Sequence, residues 1–201
     1  MPADVPLILA SSSPRRLALL RQVGVVADRI EAPAVDETPL PRELPQAHVL
    51  RLAEAKLADV VARSGAAPAF VLAADTVVTC GRRILGKAHD RAAAERHLRL
   101  LSGRRHRVWS GIAAARIGAE GAPGGRRATR AVMTIVRFKR LDEGELQAYL
   151  ASGEWDGKAG GYAIQGRAEG FVVAINGSYS NVVGLPLAAT LDLLRGLGWR
   201  P

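Results

Sequence analysis

Apolar residues recur along this chain with two periods, and the switches between them mark its elements. Leu7–Ala10 is an unbroken apolar run and reads as a buried strand. Ser11–Ser13 follows as a tight turn. Ser13 is placed to cap a helix, with Pro14 at the first helical position, where a missing N–H costs nothing. That helix runs from Pro14 to Val23, with Leu17, Leu20 and Val23 inward and Gly24 closing it. Val25–Ala32 reads as a strand. Pro33–Pro45 holds four prolines and the acidic pair Asp36-Glu37, which no helix interior tolerates, so it is a loop. Gln46–Arg63 is helical, with Leu50, Ala53, Leu57, Val60 and Val61 on its apolar face and Gly65 ending it. Phe70–Ala74 is a second buried strand that runs through Asp75 and continues as Thr76–Cys80.

Gly81-Arg82-Arg83 is a turn and Ile84–Leu85 a return strand. Asp90 caps a helix that reaches Leu101. His106–Ile117 alternates as a strand, and Gly118–Gly125 reads as a mobile, glycine-rich hairpin connection. Thr129–Arg137 is apolar at both parities, a pattern that fits a strand covered on both faces. Asp142 and Glu145 form an Asp-x-x-Glu capping box before a helix bearing Leu146, Tyr149 and Leu150. Glu154–Gly170 is a long glycine-rich loop, Phe171–Ile175 a last strand, and Pro186 starts a final helix through Leu191 and Leu194. Strands and helices are interspersed around a long hairpin, with no internal repeat and no linker. The fold class is therefore mixed, α/β or α+β, and residues 1–201 read as one domain.

Composition narrows the function classes. At 48% apolar and 23% charged residues the chain folds around a true core, and no apolar stretch is long enough to cross a membrane. The N-terminus has Asp4 and no basic region, so it does not read as a signal peptide. A lone Cys80 excludes an internal disulfide framework and fits a cytoplasmic enzyme. The net charge of +9 suits an anionic partner, but 4% aromatic residues are poor material for stacking on nucleic acid. Of 28 basic residues, 24 are arginine, which singles out Lys56, Lys87, Lys139 and Lys158.

Chemistry concentrates in a few stretches. Arg15 and Arg16 stand in the first turn of a helix, where the dipole opposes cations by about 0.3–1 kcal/mol each. A phosphate on the same spot, held by backbone N–H groups, Ser11, Ser13 and both guanidinium forks, resolves that conflict. The bland alternative is that both arginines point into solvent. Asp75 lies inside an apolar strand, where a carboxylate is costly unless paired, hydrogen-bonded or on a metal. Asp36 and Glu37 read equally well as a solvated acidic loop, and Lys56 reads first as an exposed helix residue without a role. Lys87 follows Gly86 in LGK, and Gln165 closes the glycine-rich DGKAGGYAIQG of residues 156–166, where its amide can read a base edge or face solvent. His48, His89, His97 and His106 lack metal-ligand spacing and read as surface or capping residues.

Seven stretches in order carry a resemblance: SSSPRR, DETP at 36–39, LAADTVV at 72–78, LGK at 85–87, LSGRRHRVWSG at 101–111, DGKAGGYAIQG, and INGSYSNVVGLPL at 175–187. Together they resemble the Maf family of nucleoside triphosphate pyrophosphatases from end to end. The resemblance implies a fold related to the inosine triphosphatase-like enzymes, with two lobes around a central extended sheet and a deep cleft. It also implies metal-dependent hydrolysis between the α and β phosphates, giving monophosphate and pyrophosphate, with Mg²⁺ or Mn²⁺ as cofactor. Ser11, Ser13, Arg15 and Arg16 match the family's phosphate-binding turn. Glu37, Lys56, Asp75 and Lys87 match its charged cleft residues, with Asp75 either general base or, beside Glu37, a metal ligand.

Arg15, Thr76 and Gln165 match the specificity positions of the dTTP/UTP group rather than the 7-methyl-GTP group. Two departures stand out: a glycine inserted in Asp156-Gly157-Lys158, and Trp109-Ser110 in place of a threonine-containing pair. A homodimer is common in the family. The competing class is a non-catalytic basic protein that binds nucleic acid or regulates septum formation. The carboxylates argue against it, since they would repel a polyanion.

Overall fold

The computed structural model describes residues 5–65, 67–118 and 125–200. The elements are strands β1 (Leu7–Ala10), β2 (Arg29–Ile30), β3 (Ala69–Cys80), β4 (Arg83–Leu85), β5 (Lys87–Ala88), β6 (Arg105–Ile117), β7 (Arg126–Phe138), β8 (Lys158–Ala159) and β9 (Val172–Asn176). The helices are α1 (Pro14–Gln22), α2 (Pro45–Arg63), α3 (Arg91–Leu101), α4 (Glu143–Ser152), α5 (Tyr179–Val183) and α6 (Leu187–Gly196). The main sheet is mixed, in the order β2-β1-β3-β6-β7-β9 with β4 on β3, and β5 and β8 form a small second sheet. The expected mixed α/β class holds. The chain divides into two compact units: Met1–Asp75 with Ser110–Val132 and Gly184–Pro201, and Thr76–Trp109 with Met133–Val183.

In the first unit, β1 pairs in parallel with both β2 and β3. Parallel neighbours need crossovers, and α1 and α2 supply them. The core between α2 and the sheet is built of small side chains: Ala10, Ala53, Ala69, Ala73, Ala113 and Ala115 pack with Ile8, Leu57, Val60, Val71 and Ile117. Helix and sheet approach closely at Gly111 of β6, where a Cβ would lie 2.1 Å from the carbonyl oxygen of Val49. This contact sets the rotation of α2. Its buried face is His48, Val49, Leu52, Ala53, Lys56, Leu57 and Val60, so Leu50 and Val61 sit at the margin rather than at the centre.

Other expectations are corrected. β2 has two residues, not eight, because Val25 closes α1 through a bond from its N–H to Leu20 and the Asp28 carboxylate accepts from the Leu7 N–H at 2.7 Å. In α1 the inward residues are Leu19 and Leu20, whereas Leu17 is half-buried and Val23 is exposed. Ser13 is the N-cap residue by position, but its side chain makes no capping bond. Pro186 is the N-cap of α6 rather than its first residue, Leu191 on that helix is half-buried, and the short α5 was not foreseen. The expected hairpin connection Gly118–Gly125 lies, between its two end glycines, outside the described residues.

In the second unit, β7 buries Thr134, Val136 and Phe138 and exposes Met133 and Arg137, so only one face is covered. The capping box of α4 forms as expected, with Asp142 accepting from the Glu145 N–H and Glu145 accepting in return. Asp90 caps α3 through the Ala93 N–H at 2.6 Å. The core here is aromatic, with Phe138 edge-on to His106, Tyr162 and Phe171.

Candidate functional site

Lys56 is the largest departure from expectation. Far from being exposed, its side chain is 6% accessible, on the sheet-facing side of α2. Burying an ammonium is costly unless it is paired. The pairing is complete: Nζ lies 2.6 Å from Asp75 Oδ1 and 2.6 Å from Glu37 Oε1. Asp75 is buried in the middle of β3, and Glu37 reaches in from the proline-held loop with its side chain 39% accessible. Three residues from a loop, a helix and a strand thus converge, and the reading of Glu37 as a merely solvated acid is set aside.

Arg16 belongs to the same neighbourhood. Burial lowers its pKa, while attraction from Asp75 opposes that shift, repulsion from Arg15 adds to it and attraction from Glu37 opposes it. Its Nε donates to the carbonyl of Gly184 at 2.9 Å and its Nη1 to Ser11 Oγ at 3.2 Å. Ser11 is buried, and its Oγ also accepts from the Ser13 N–H at 3.1 Å. The Ser11–Ser13 turn is therefore tied to the arginine of the following helix, and Arg16 does not point into solvent. Arg15 is half-buried, and desolvation lowers its pKa as well. The first unit thus gathers Ser11, Ser13, Arg15, Arg16, Glu37, Lys56 and Asp75.

A second buried ionic cluster holds the loop that carries Glu37. Arg51 donates to Glu43 through Nε at 2.6 Å and Nη2 at 2.8 Å, and through Nη2 to the Thr38 carbonyl at 3.2 Å. His48 Nδ1 lies 2.8 Å from Glu43 Oε2, and the Leu40 N–H donates to the same carboxylate. Hydrogen bonds from Arg51, which outweigh the cost of burial, hold the Glu43 carboxyl far below the usual range. His48 is 2% exposed, so its reading as a surface residue is corrected. His48 and Arg51, three apart, share one helix face, a spacing equally common on exposed helices, so only their burial marks the cluster. Gly184 is a site contact that no side-chain chemistry reveals.

In the second unit the structure joins two motifs that are distant in sequence. LGK and the glycine-rich stretch pair as β5 and β8, with Lys87 opposite Ala159 and Ala88 opposite Lys158. Gly157, the glycine expected to be an insertion, adopts φ +65° and donates its N–H to the Ala88 carbonyl at 2.8 Å. Gly157 therefore forms a left-handed turn that a side chain would strain. Thr76 lies half-buried on β3, next to Asp75 in the chain, and Gln165 is exposed. His106, expected at the surface, is 1% exposed, and burial lowers its pKa to about 4.

A cofactor cation can be tested against these donors. Two carboxylate oxygens that meet one ammonium can also face one small hard cation. Mg²⁺ is commonly held by one or two carboxylates, the remaining positions going to phosphate oxygens and water. Glu37 and Asp75 fit that pattern. Among the described residues no group of three or more His, Cys, Asp or Glu side chains forms an all-protein cage.

The model of the Maf-like protein family matches residues 6–197. The chain belongs to the Maf family. It is similar to the dTTP/UTP pyrophosphatase of Paramagnetospirillum magneticum, with 58% identity over 195 residues, 97% of this chain and 98% of that one. The dTTP/UTP pyrophosphatase of Caulobacter vibrioides is 56% identical over 202 residues, covering both chains fully. Among solved structures, a HAM1 protein from Coxiella burnetii superposes with TM-score 0.51 at 14% identity, covering 95% of this chain and 99% of that one. At that identity the likeness shows the fold alone. No helix of the described residues is long and apolar enough to cross a membrane.

Proposed function

We propose that this Maf protein hydrolyses the α–β phosphoanhydride of pyrimidine nucleoside triphosphates, dTTP and UTP, releasing nucleoside monophosphate and pyrophosphate. The observation that carries the reading is the ion-paired Glu37–Lys56–Asp75 arrangement, with Lys56 and Asp75 buried, beside Arg16, in a chain whose relatives are named for this activity. The 7-methyl-GTP and binding-only alternatives have no comparable support.

The roles follow from the chemistry of each group. The Ser11–Ser13 turn with Arg15, Arg16 and Lys56 binds the triphosphate, matching fixed cations to its charge, and the family resemblance assigns Lys87 to substrate binding as well. Glu37 and Asp75 would hold the divalent cation, Mg²⁺ or Mn²⁺, which when bound neutralises charge developing on the phosphate oxygens. Asp75 accepts the proton of the attacking water as its oxygen bonds to the α-phosphorus. The bond from that phosphorus to the bridging oxygen breaks, and pyrophosphate leaves with the electron pair. Lys56, donating to Asp75 at 2.6 Å, fixes the orientation of that carboxylate. Arg15, Thr76 and Gln165 select the base, as the family resemblance assigns. The whole chain acts as one domain in the cytoplasm, in keeping with its single Cys80.

The test is pyrophosphate release from a panel of canonical and methylated triphosphates, with Mg²⁺, Mn²⁺ or EDTA. Metal-dependent release with UTP and dTTP ahead supports the reading, and purines turned over fastest would overturn it. Asp75→Asn is expected to lower kcat by about 10²–10⁴-fold, and a variant near wild type at saturating metal refutes both roles given to Asp75.

A further inference from the structure

We propose that Tyr149 and His106 are positioning residues for base selection, locking the segment Gly160–Gly166 so that Gln165 is presented in one fixed orientation. This rests on the pyrimidine triphosphate reading above, and specifically on Gln165 as a base-reading residue.

After β8 the segment continues as turns and irregular backbone up to a short 3₁₀ turn beginning at Arg167. Its shape is therefore set by bonds from elsewhere in the second unit. Tyr149 Oη, from α4, accepts the N–H of Ala163 at 3.1 Å. His106 Nε2, from β6, shares a hydrogen bond of 2.8 Å with Tyr162 Oη. His106 Nδ1 has no partner among the described residues, so the bond to Tyr162 is the polar contact that orients the ring. Because burial keeps this histidine neutral, the bond holds at neutral pH without bringing a charge into the aromatic core.

The backbone on either side is equally constrained. Gly160 and Gly161 take φ +69° and +70°, and a Cβ on them would lie 2.9 Å from Val78 Cγ1 and 3.1 Å from Ala94 Cα. A Cβ on Gly166 would lie 2.0 Å from Glu154 Oε2, the oxygen that accepts the Arg167 N–H at 2.8 Å. Ile164 is 3% exposed. Gln165, exposed, thus stands between an anchored residue and a blocked glycine. Backbone held this way needs little ordering on binding, so the amide it carries can discriminate between bases.

The experiment compares wild type with Tyr149→Phe, which keeps the ring against Phe171 at 5.3 Å and removes only the acceptor for Ala163. UTP, dTTP, ATP and GTP are assayed for KM and kcat, and amide exchange over 160–166 is followed in nucleotide-free protein. The expected result is faster exchange confined to this segment and a KM for UTP raised about five- to tenfold. kcat stays within about twofold, and the pyrimidine preference narrows. His106→Leu should act likewise, while His106→Gln, which keeps a partner for Tyr162, should restore most of the KM. Faster exchange with unchanged KM and preference would overturn the proposal, as would unchanged exchange, or a fall in kcat alone. If wild type releases no pyrophosphate from UTP or dTTP, the underlying activity fails first, and the wild-type assay alone reveals it.

Discussion

Lys56→Met offers the sharpest energetic test of the site. The substitution keeps an unbranched apolar stem on the buried face of α2 and removes the ammonium between two carboxylates. At 2.6 Å and an effective dielectric near 20, each ion pair gains about 6 kcal/mol of gross Coulomb energy. Most of that is cancelled by desolvation of the buried partners. The asymmetry lies in what is left behind. Glu37 is 39% accessible, so water screens it and its share is small. The Asp75 side chain is 8% accessible and would remain as a buried charge, compensated in part by the fields of Arg16 and Arg51. Breaking a buried pair in this way costs about 3–4 kcal/mol, or about 10 °C in Tm for a chain of this size. Asp75→Asn should cost less, because the amide oxygen still accepts from Lys56. The double variant should be about 2 kcal/mol more stable than the sum of the single losses. Urea unfolding of the four proteins at pH 7 supplies the cycle. A Lys56→Met variant within about 0.5 kcal/mol of wild type, with additive effects, would refute the buried-pair reasoning.

Three further outcomes follow. His106 titrates near 6.5 when unfolded but at about 4 when folded, because burial disfavours its charged form. The unfolded chain therefore binds more protons between those values. Stability is full above pH 6.5 and falls as pH drops towards 4, by on the order of 3 kcal/mol. Urea midpoints at pH 7 and pH 4.5 should show this loss, and His106→Gln should remove that contribution. Gly111→Ala should destabilise by about 3 kcal/mol, since the new Cβ meets helix backbone 2.1 Å away rather than a movable side chain; an unchanged thermal midpoint would contradict that contact. Arg16→Lys should raise the KM for UTP by about tenfold, because a single ammonium cannot bond Gly184 and Ser11 as the guanidinium does. Equal KM values would remove Arg16 from phosphate binding.

The parts of this fold that could be read from sequence are those fixed by neighbours in the chain. The β1–turn–α1 entry, the long β3 through Asp75 and the α4 capping box each carry their own local signal, and each forms. Asp75 was legible because a carboxylate inside an apolar run demands a partner. Lys56 was not, since α2 carries apolar residues at Val49, Leu50, Leu52, Ala53, Leu57, Val60 and Val61, which periodicity alone cannot place in one register. The rotation was decided by Gly111, fifty-five residues from Lys56, and such a contact has no trace in a local pattern. The Glu43–His48–Arg51 cluster escaped for a related reason: it joins a loop to a helix, and its members look like ordinary surface polar residues until burial is known. The two motifs in β5 and β8 were each weak alone. Pairing, not proximity in sequence, makes them one structure.

The alanine-lined seam between α2 and the sheet has a consequence for how this protein tolerates change. With Ala53, Ala73, Ala113 and Ala115 as spacers, small side chains separate α2 from the strands, and the Lys56 ammonium on the buried face of the helix ends at Asp75. Larger side chains on this seam are expected to force backbone shifts between helix and sheet, and the ammonium moves with the helix. Variation that would be silent in an ordinary core therefore reaches the chemistry without touching a substrate. A library of Ala→Val changes on this seam should lose turnover before it loses folding, which makes the spacers, as much as the charged residues, the positions where drift is least free.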